Sequence, residues 1–167
     1  LLMDIAASED AASLDAATHS TRAPDGSFTV LSAWDSSTDF DLWMIPRGET
    51  TPVRMIDEPT FQADPRISPD SQWVAYVSVE TGRSEIYVCR AVPRSIGMLV
   101  STDGGRNPMW SEDGNTLYYI SAEGDLTSVA VTREDGRLAF GLPRRLFRAP
   151  KGPPEGMTDS LFQTPYL

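Results

Sequence analysis

Apolar and polar residues alternate in short runs along this chain, and segments rich in Gly, Pro, Asp and Ser separate the runs. This alternation has the period of a half-buried β-strand, because successive side chains of a strand point to opposite faces. The clearest runs cover residues 27–34, 72–79 and 115–121. Shorter strands are predicted after them, over residues 41–45, 85–89 and 125–129. The pattern therefore predicts an all-β protein.

The predicted strands recur with a regular spacing. A turn pair, Asp-Gly or Asp-Ser, precedes each long run and begins at Asp25, Asp70 and Asp113. These pairs are 45 and 43 residues apart. Acidic residues that open the shorter strands are 44 and 40 residues apart, and they are Asp41, Glu85 and Asp125. A repeat of about 40–45 residues with about four strands is typical of a β-propeller blade. We therefore predict a partial β-propeller of about three four-stranded antiparallel blades.

The repeat places the blades over residues 23–60, 61–103 and 104–148. Residues 1–22 are predicted to be a remnant of a preceding blade or a loop, and residues 149–167 a loop and the start of a further blade. Because propellers have about four to eight blades, three blades would leave two apolar faces uncovered. We therefore expect self-association or further blades from a longer chain. The four tryptophans are predicted to lie between blades, at positions 34, 43, 73 and 110.

Each predicted turn has a local cause. Pro and Asp preset the first turn positions, and Gly takes the positive φ that closes the turn. In the second copy Ser71 stands where the others have Gly. A residue that precedes proline is biased towards an extended conformation, so Asp64 and Asn107 are predicted to start strands.

Two copies of the repeat carry recognisable motifs. They read PRISPD at 65–70 with WVAY at 73–76, and PMWSEDG at 108–114 with LYY at 117–119. These motifs resemble TolB-like (WD-repeat-like) β-propeller repeats. The run 74–113, with EIYV at 85–88 and STDGG at 101–105, is similar to propeller domains that follow the kinase domain of some bacterial serine/threonine kinases. Similar repeats form the propellers of prolyl-oligopeptidase-type peptidases. The resemblance covers residues 24 to about 148, and the first copy has Ala23-Pro24 in place of Ser-Pro.

The charge and the cysteine content narrow the classes of function. With 14 Lys and Arg against 24 acidic residues, the formal net charge is −10. Because a nucleic-acid-binding surface needs a basic footprint, no nucleic-acid partner is expected. No apolar run approaches the roughly 18–20 residues of a membrane span, so we expect no direct membrane insertion. Cys89 is the single cysteine and falls in a predicted strand, where a small buried apolar role is expected.

Two candidate catalytic or metal-binding groups are weak. His19 is the single histidine, it lies in a weakly patterned segment, and no Gly-x-Ser-x-Gly motif accompanies it, so an exposed loop position is predicted. Asp35, Asp39 and Asp41 could supply part of a calcium site, but the spacing of an EF-hand loop is absent. A hairpin loop is the preferred interpretation of that segment.

Two further segments were considered as anion sites. The loop 101–105 lacks the Gly-Lys-Ser/Thr and the helix of a phosphate-binding loop, so an inter-blade turn is predicted. Basic residues cluster at Arg144, Arg145, Arg148 and Lys151. They could meet an acidic partner, but solvation and protection of a strand edge are the preferred roles.

These observations predict a protein with no catalytic, cofactor-binding or metal-binding residues of its own. The leading hypothesis is a non-catalytic module that binds a protein or peptide, within a larger bacterial TolB-like or kinase-associated protein. The alternative is the substrate-gating propeller of a prolyl-oligopeptidase-type serine peptidase. A sugar- or metal-dependent propeller enzyme is disfavoured because a single histidine and no paired-Glu motif are present. The resemblance implies an extracytoplasmic or periplasmic location.

Overall fold

The structure, a computed structural model, describes residues 17–35 and 39–148. Thirteen β-strands form three separate antiparallel sheets in this part of the chain, and none of it is helical. Accordingly, no helix there could cross a membrane. The prediction of an all-β fold with repeated antiparallel sheets is confirmed.

The first sheet contains β1 (Ala17–Arg22), β2 (Phe28–Asp35), β3 (Asp39–Pro46) and β4 (Val53–Arg54) in that order. The second contains β5 (Gln62–Ile67), β6 (Trp73–Ser78), β7 (Glu85–Arg90) and β8 (Met98–Leu99). Each sheet is therefore a meander in which sequence neighbours pair. The outermost strand of each of these two sheets, β4 or β8, has two residues.

The third sheet has one strand more. It contains β9 (Gly105–Trp110), β10 (Thr116–Ser121), β11 (Asp125–Glu134), β12 (Arg137–Phe140) and β13 (Arg144–Arg148). The long strand β11 pairs with β13 along its first half and with β12 along its second half. The strand β12 was not predicted from the sequence, because this four-residue hairpin arm is too short to show a period.

In the second and third sheets, the turns between the first and second strands are built in the same way. Ser68 and Ser111 each donate a hydroxyl hydrogen bond to the aspartate two residues later. Each of these hydroxyls also accepts the backbone N–H five residues later, at Trp73 and Thr116. Ser71 adopts φ 58°, so it takes the left-handed conformation that Gly takes in the other two turns. The predicted positive φ is thus observed in all three turns, whereas the serine hydroxyl bonds occur only in the second and third, because Ala23 stands at the matching place in the first.

The sheets stack on one another, and the core lies between them. We call the side of a sheet that faces the next sheet in chain order its forward face, and the opposite side its rear face. The forward face of the first sheet, with Val30, Leu42 and Met44, packs on the rear face of the second, with Val74 and Tyr76. Each such side chain contributes about 1.5–3 kcal/mol when fully buried.

The second core layer repeats the first. Trp73, Ala75 and Val77 on the forward face of the second sheet pack against Leu117 and Val129 of the third. Both layers are built from apolar residues at matching positions of the repeat. The stack of the three sheets is therefore held by two equivalent apolar layers.

The tryptophans follow their prediction only in part. Trp73 is buried between the second and third sheets, and Trp110 packs against the same layer. Trp43 is buried on the rear face of the first sheet. Trp34 is 47% exposed, so its predicted burial is wrong. It lies one residue before the end of β2, next to the hairpin that leads to β3.

The observed start of the first sheet differs from the boundary predicted at residue 23. β1 begins at Ala17 and pairs with β2 over five registered positions, so residues 17–22 belong to this sheet. None of the six residues of β1 is buried, so this strand lacks the apolar alternation that identifies strands in a sequence. The calls on residues 1–16 and 149–167 fall outside the described residues.

Candidate interaction surface on the inner strands

The first strands of the three sheets lie side by side along one edge of the stack. β5 contacts β1, and β9 contacts β5. We call the polar side chains of β1, β5 and β9 that are exposed or half-buried the inner-strand surface; those of β5 are all half-buried. All six residues of β6 are buried, whereas none of β1 is. The inner strands are therefore the polar, accessible part of a fold whose middle strands form the core.

A backbone irregularity recurs on this surface. Asp64 and Asn107, 43 positions apart, both adopt φ 53° in the left-handed region. Each precedes a proline and lies where the register of its strand shifts against the next strand. The prediction that these residues are extended strand starters is therefore wrong. Asp and Asn tolerate the left-handed region better than other side chains do, so a β-bulge overrides the preference set by proline.

The equivalent residue of the first sheet is His19, 45 positions before Asp64. It lies on β1 and not in a loop, which corrects the prediction, although its side chain is 52% exposed. Its Nε2 lies 3.5 Å from Oδ1 of Asp64, and this contact is an ion pair when the imidazole is protonated. Repeat-equivalent polar residues of two sheets therefore meet on the inner-strand surface.

Hydrogen bonds between sheets hold the inner strands in place. The Ser32 hydroxyl donates to the Gln62 carbonyl at 3.1 Å, which joins the first sheet to β5. Trp110 Nε1 donates to the Arg66 carbonyl at 3.0 Å, which joins β9 to β5. Buried Gln62 also donates from its amide to the Glu58 carbonyl at 2.9 Å. The surface is thus presented on a rigid support, as a binding site requires.

The third strands of the sheets carry three buried carboxylates. Their burial was not predicted from the sequence, in which they served to measure the spacing of the repeat. Asp41, Glu85 and Asp125 lie at or near the start of the third strand of their sheets and are at most 2% exposed. Arginines on the outer strands and on the connection before β7 bind all three, and they are Arg54, Arg83, Arg145 and Arg148. The carboxylates tie the outer strands and connections to the third strands, and they are too deeply covered to contact a partner.

The acidic segment around Asp39 does not form the considered calcium site within the described residues. Asp41 turns into the sheet, where Arg54 Nη1 lies 2.8 Å from its Oδ2. Residues 36–38 lie outside the described part of the chain. Among described residues no group of three or more His, Cys, Asp or Glu could hold a metal ion.

The loop 101–105 binds a carboxylate of the protein itself. The Ser101 hydroxyl and the Gly104 N–H both donate to Glu85, and the Gly104 distances are 3.0 Å to each carboxylate oxygen. The donors that a phosphate would need are therefore occupied. The segment joins the second sheet to the third, where the sequence predicted an inter-blade turn.

Cys89 lies in the interior of the protein, as expected. Cys89 is fully buried beneath the first sheet, and burial raises the pKa of its thiol to about 12.

Two members of the basic cluster form ion pairs within the third sheet, because Arg145 and Arg148 lie 3.0 and 3.2 Å from Asp125. Arg144 is exposed on β13, and Lys151 lies outside the described residues.

Comparisons with known proteins were made by sequence and by structure. No protein-family model matches the sequence, and no curated protein matches it. Among solved structures, a protein described as a TolB from Agrobacterium tumefaciens matches 80% of the chain with a TM-score of 0.59 and 19% identity. TolB from Acinetobacter baumannii matches 81% with a TM-score of 0.56 and 19% identity. A protein described as a 6-phosphogluconolactonase from Bacteroides uniformis matches 81% with a TM-score of 0.51 and 19% identity.

The chain spans less than half of these structures: 47%, 35% and 43% of their respective lengths. At this level of identity the similarity concerns the fold. The stacked meanders, the turn motif and the three neighbours agree with one another and with the resemblance noted in the motifs. The described part of the chain therefore has the fold of a TolB-like β-propeller, of which it forms three consecutive blades.

Proposed function

We propose that this chain is a non-catalytic module that binds a protein or peptide, within a larger bacterial TolB-like or kinase-associated protein. The observation that carries the proposal is the inner-strand surface, where exposed or half-buried polar side chains from three sheets stand on strands that are joined by inter-sheet hydrogen bonds. Left-handed Asp64 and Asn107 add support, since such strain concentrates at functional positions.

The residues of the chain support a non-catalytic role. Catalysis by a Ser-His-Asp mechanism needs a histidine within hydrogen-bond reach of a nucleophile. The hydroxyl nearest to His19 is that of its sequence neighbour Thr18, which lies 3.3 Å from Nδ1, beyond the reach of about 2.6–3.2 Å of a general base, and the histidine side chain is 52% exposed. The buried Cys89 thiol stays protonated at neutral pH, so it is a poor nucleophile.

A capture experiment tests the proposal. The chain is immobilised, exposed to bacterial lysate, and compared with a double variant, His19→Ala with Asp64→Asn, which removes the polar pair and keeps a side chain that tolerates φ 53°. Asp103→Asn is the matched control, because its side chain is 97% exposed outside the inner strands. We expect the capture of a specific partner to fall about tenfold in the double variant, the loss expected from about 1.4 kcal/mol, and to be unchanged in the control.

Hydrolysis measured on the purified chain tests the non-catalytic part of the proposal. One fold neighbour is described as a 6-phosphogluconolactonase, so that lactone is the first substrate to assay, and a peptide with an internal proline is the second. Turnover of either would contradict the proposal. A kinase domain encoded upstream would support the kinase-associated context, and a Gly-x-Ser-x-Gly domain downstream would support the peptidase alternative.

A further inference from the structure

The forward face of the third sheet is apolar and accessible. Phe147 and Met109 are each 56% exposed, and Tyr118, Ile120 and Leu126 are half-buried. By the repeat, Tyr118, Ile120 and Leu126 correspond to residues of the second sheet that are at most 5% exposed beneath the third sheet: Ala75, Val77 and Ile86. The face therefore has the composition of one that packs on another sheet.

The exposed side chains of this face form two rows across the sheet. Strand pairing aligns one row from the inner to the outer edge as Arg106, Ile120, Leu126 and Phe147. It aligns the other row as Met109, Tyr118, Ser128 and Arg144. The two arginines stand at opposite edges, and neither has an ion-pair partner within residues 17–35 and 39–148.

This arrangement is complementary to itself. A two-fold axis parallel to the strands places Arg106 of one copy opposite Phe147 of its partner, and Met109 opposite Arg144. A two-fold axis across the strands places Arg106 opposite Met109, and Arg144 opposite Phe147. In neither case does an arginine face an arginine, and a guanidinium stacks favourably on an aromatic ring.

The net charge of the third sheet also favours pairing of copies at this face. Residues 104–148 contain six arginines and six acidic residues, so this part contributes nothing to the net charge of −10. Two copies can approach through this sheet with the least repulsion.

We propose that two copies of this chain associate face to face through the forward faces of their third sheets, around a two-fold axis. This inference rests on the proposed interaction role, because it names one partner that the module binds. In such an isologous interface the same patch is used by both copies, so the assembly closes at two chains. Phe147 and Met109 are then buried at opposite edges of the interface.

Sedimentation velocity of the full chain between about 1 and 100 µM tests the proposal, a range that covers the affinity of ordinary dimers. We expect a species of twice the 18.3 kDa chain mass. Phe147→Arg removes the aromatic ring and places its guanidinium against Arg106 or Arg144 of the other copy, so it is expected to raise the dissociation constant at least about 100-fold. Met109→Arg, at the opposite edge of the face, is a second variant with the same expectation. Ile96→Arg is the matched control, since Ile96 is 78% exposed in a loop of the second sheet.

The outcomes separate this inference from the proposed function, because no other protein is needed. Circular dichroism melts confirm that each variant is folded. A single-chain mass at every concentration overturns the proposal, as does a dimer that Phe147→Arg and Met109→Arg leave unchanged. Masses beyond two chains indicate head-to-tail growth and overturn the two-fold geometry.

Discussion

Replacement of Glu85 by alanine tests how the second sheet is joined to the third. This carboxylate is 1% exposed and accepts hydrogen bonds from the Ser101 hydroxyl and from Gly104 N–H. Arg83 Nε lies 2.7 Å from its Oε1, and the arginine side chain is 56% exposed. In this ion pair the Glu85 carboxylate is therefore buried, and the Arg83 guanidinium is solvated.

The expected effects of removing the two partners differ. In Glu85→Ala the Gly104 N–H loses its acceptor inside the protein, and a cavity replaces the side chain. An orphaned buried donor costs about 1–3 kcal/mol and a small cavity adds to this, so we expect a loss of about 2–4 kcal/mol. In Arg83→Ala the carboxylate keeps the Ser101 and Gly104 donors. An ion pair with a solvated arginine is worth about 1 kcal/mol or less, so the expected loss is at most that.

Urea unfolding followed by tryptophan fluorescence measures both changes. Trp73 and Trp110 pack in the layer between the second and third sheets, so they report on the joint that Glu85 holds. The free energy of unfolding is compared at constant m-value. A loss below about 1 kcal/mol for Glu85→Ala, or equal losses for the two variants, would refute the assignment of Glu85 as the buried anchor.

Three further predictions concern stability and reactivity. Hydrogen bonds from Ser27 lower the pKa of Asp25, and hydrogen bonds from Ser111 lower the pKa of Asp113. For Asp70, partial burial raises the pKa. Hydrogen bonds from Ser68 and Gln72 and the charge of Arg133 outweigh this effect, so the pKa of Asp70 is also lowered. The pKa of all three carboxyls is lower in the folded state, so they stabilise it above the unfolded value near 3.8, and urea midpoints should fall as the pH drops below about 4. Unchanged midpoints down to pH 2.5 would contradict this. The raised pKa of the Cys89 thiol, about 12, predicts no reaction with a thiol reagent at pH 8 until the chain unfolds, and prompt labelling of the native chain would be the contrary result. Leu117→Ala, at a fully buried position between two sheets, should cost about 2–5 kcal/mol in urea, whereas a loss under 1 kcal/mol would mean that the layer is loosely packed.

The second and third sheets could be predicted because their signals are local. The turn at Asp70 and the apolar alternation of β6 lie within about ten residues of one another, and each arises from backbone geometry and side-chain period. The same signals recur at Asp113 and β10, so the sequence alone predicts the repeat.

The candidate surface depended on information that is not local. β1 has no apolar alternation, so its membership of the first sheet follows only from pairing with β2. His19 therefore read as a loop residue, although pairing places it beside Asp64. The left-handed φ of Asp64 and Asn107 also came from the bulge, which the preference set by the following prolines did not reveal.

The sequence by itself determined the repeat, the all-β class and the turn chemistry, because these depend on the side-chain period and on residues close together along the chain. Only the tertiary structure decided that Asp41, Glu85 and Asp125 are buried anchors, because their arginines lie on other strands and loops. It also decided that Tyr118 and Ile120 stay partly exposed while their counterparts, Ala75 and Val77, pack on a neighbouring sheet. Burial of a side chain depends on which sheet lies above it, and an alternating pattern is the same with or without that sheet.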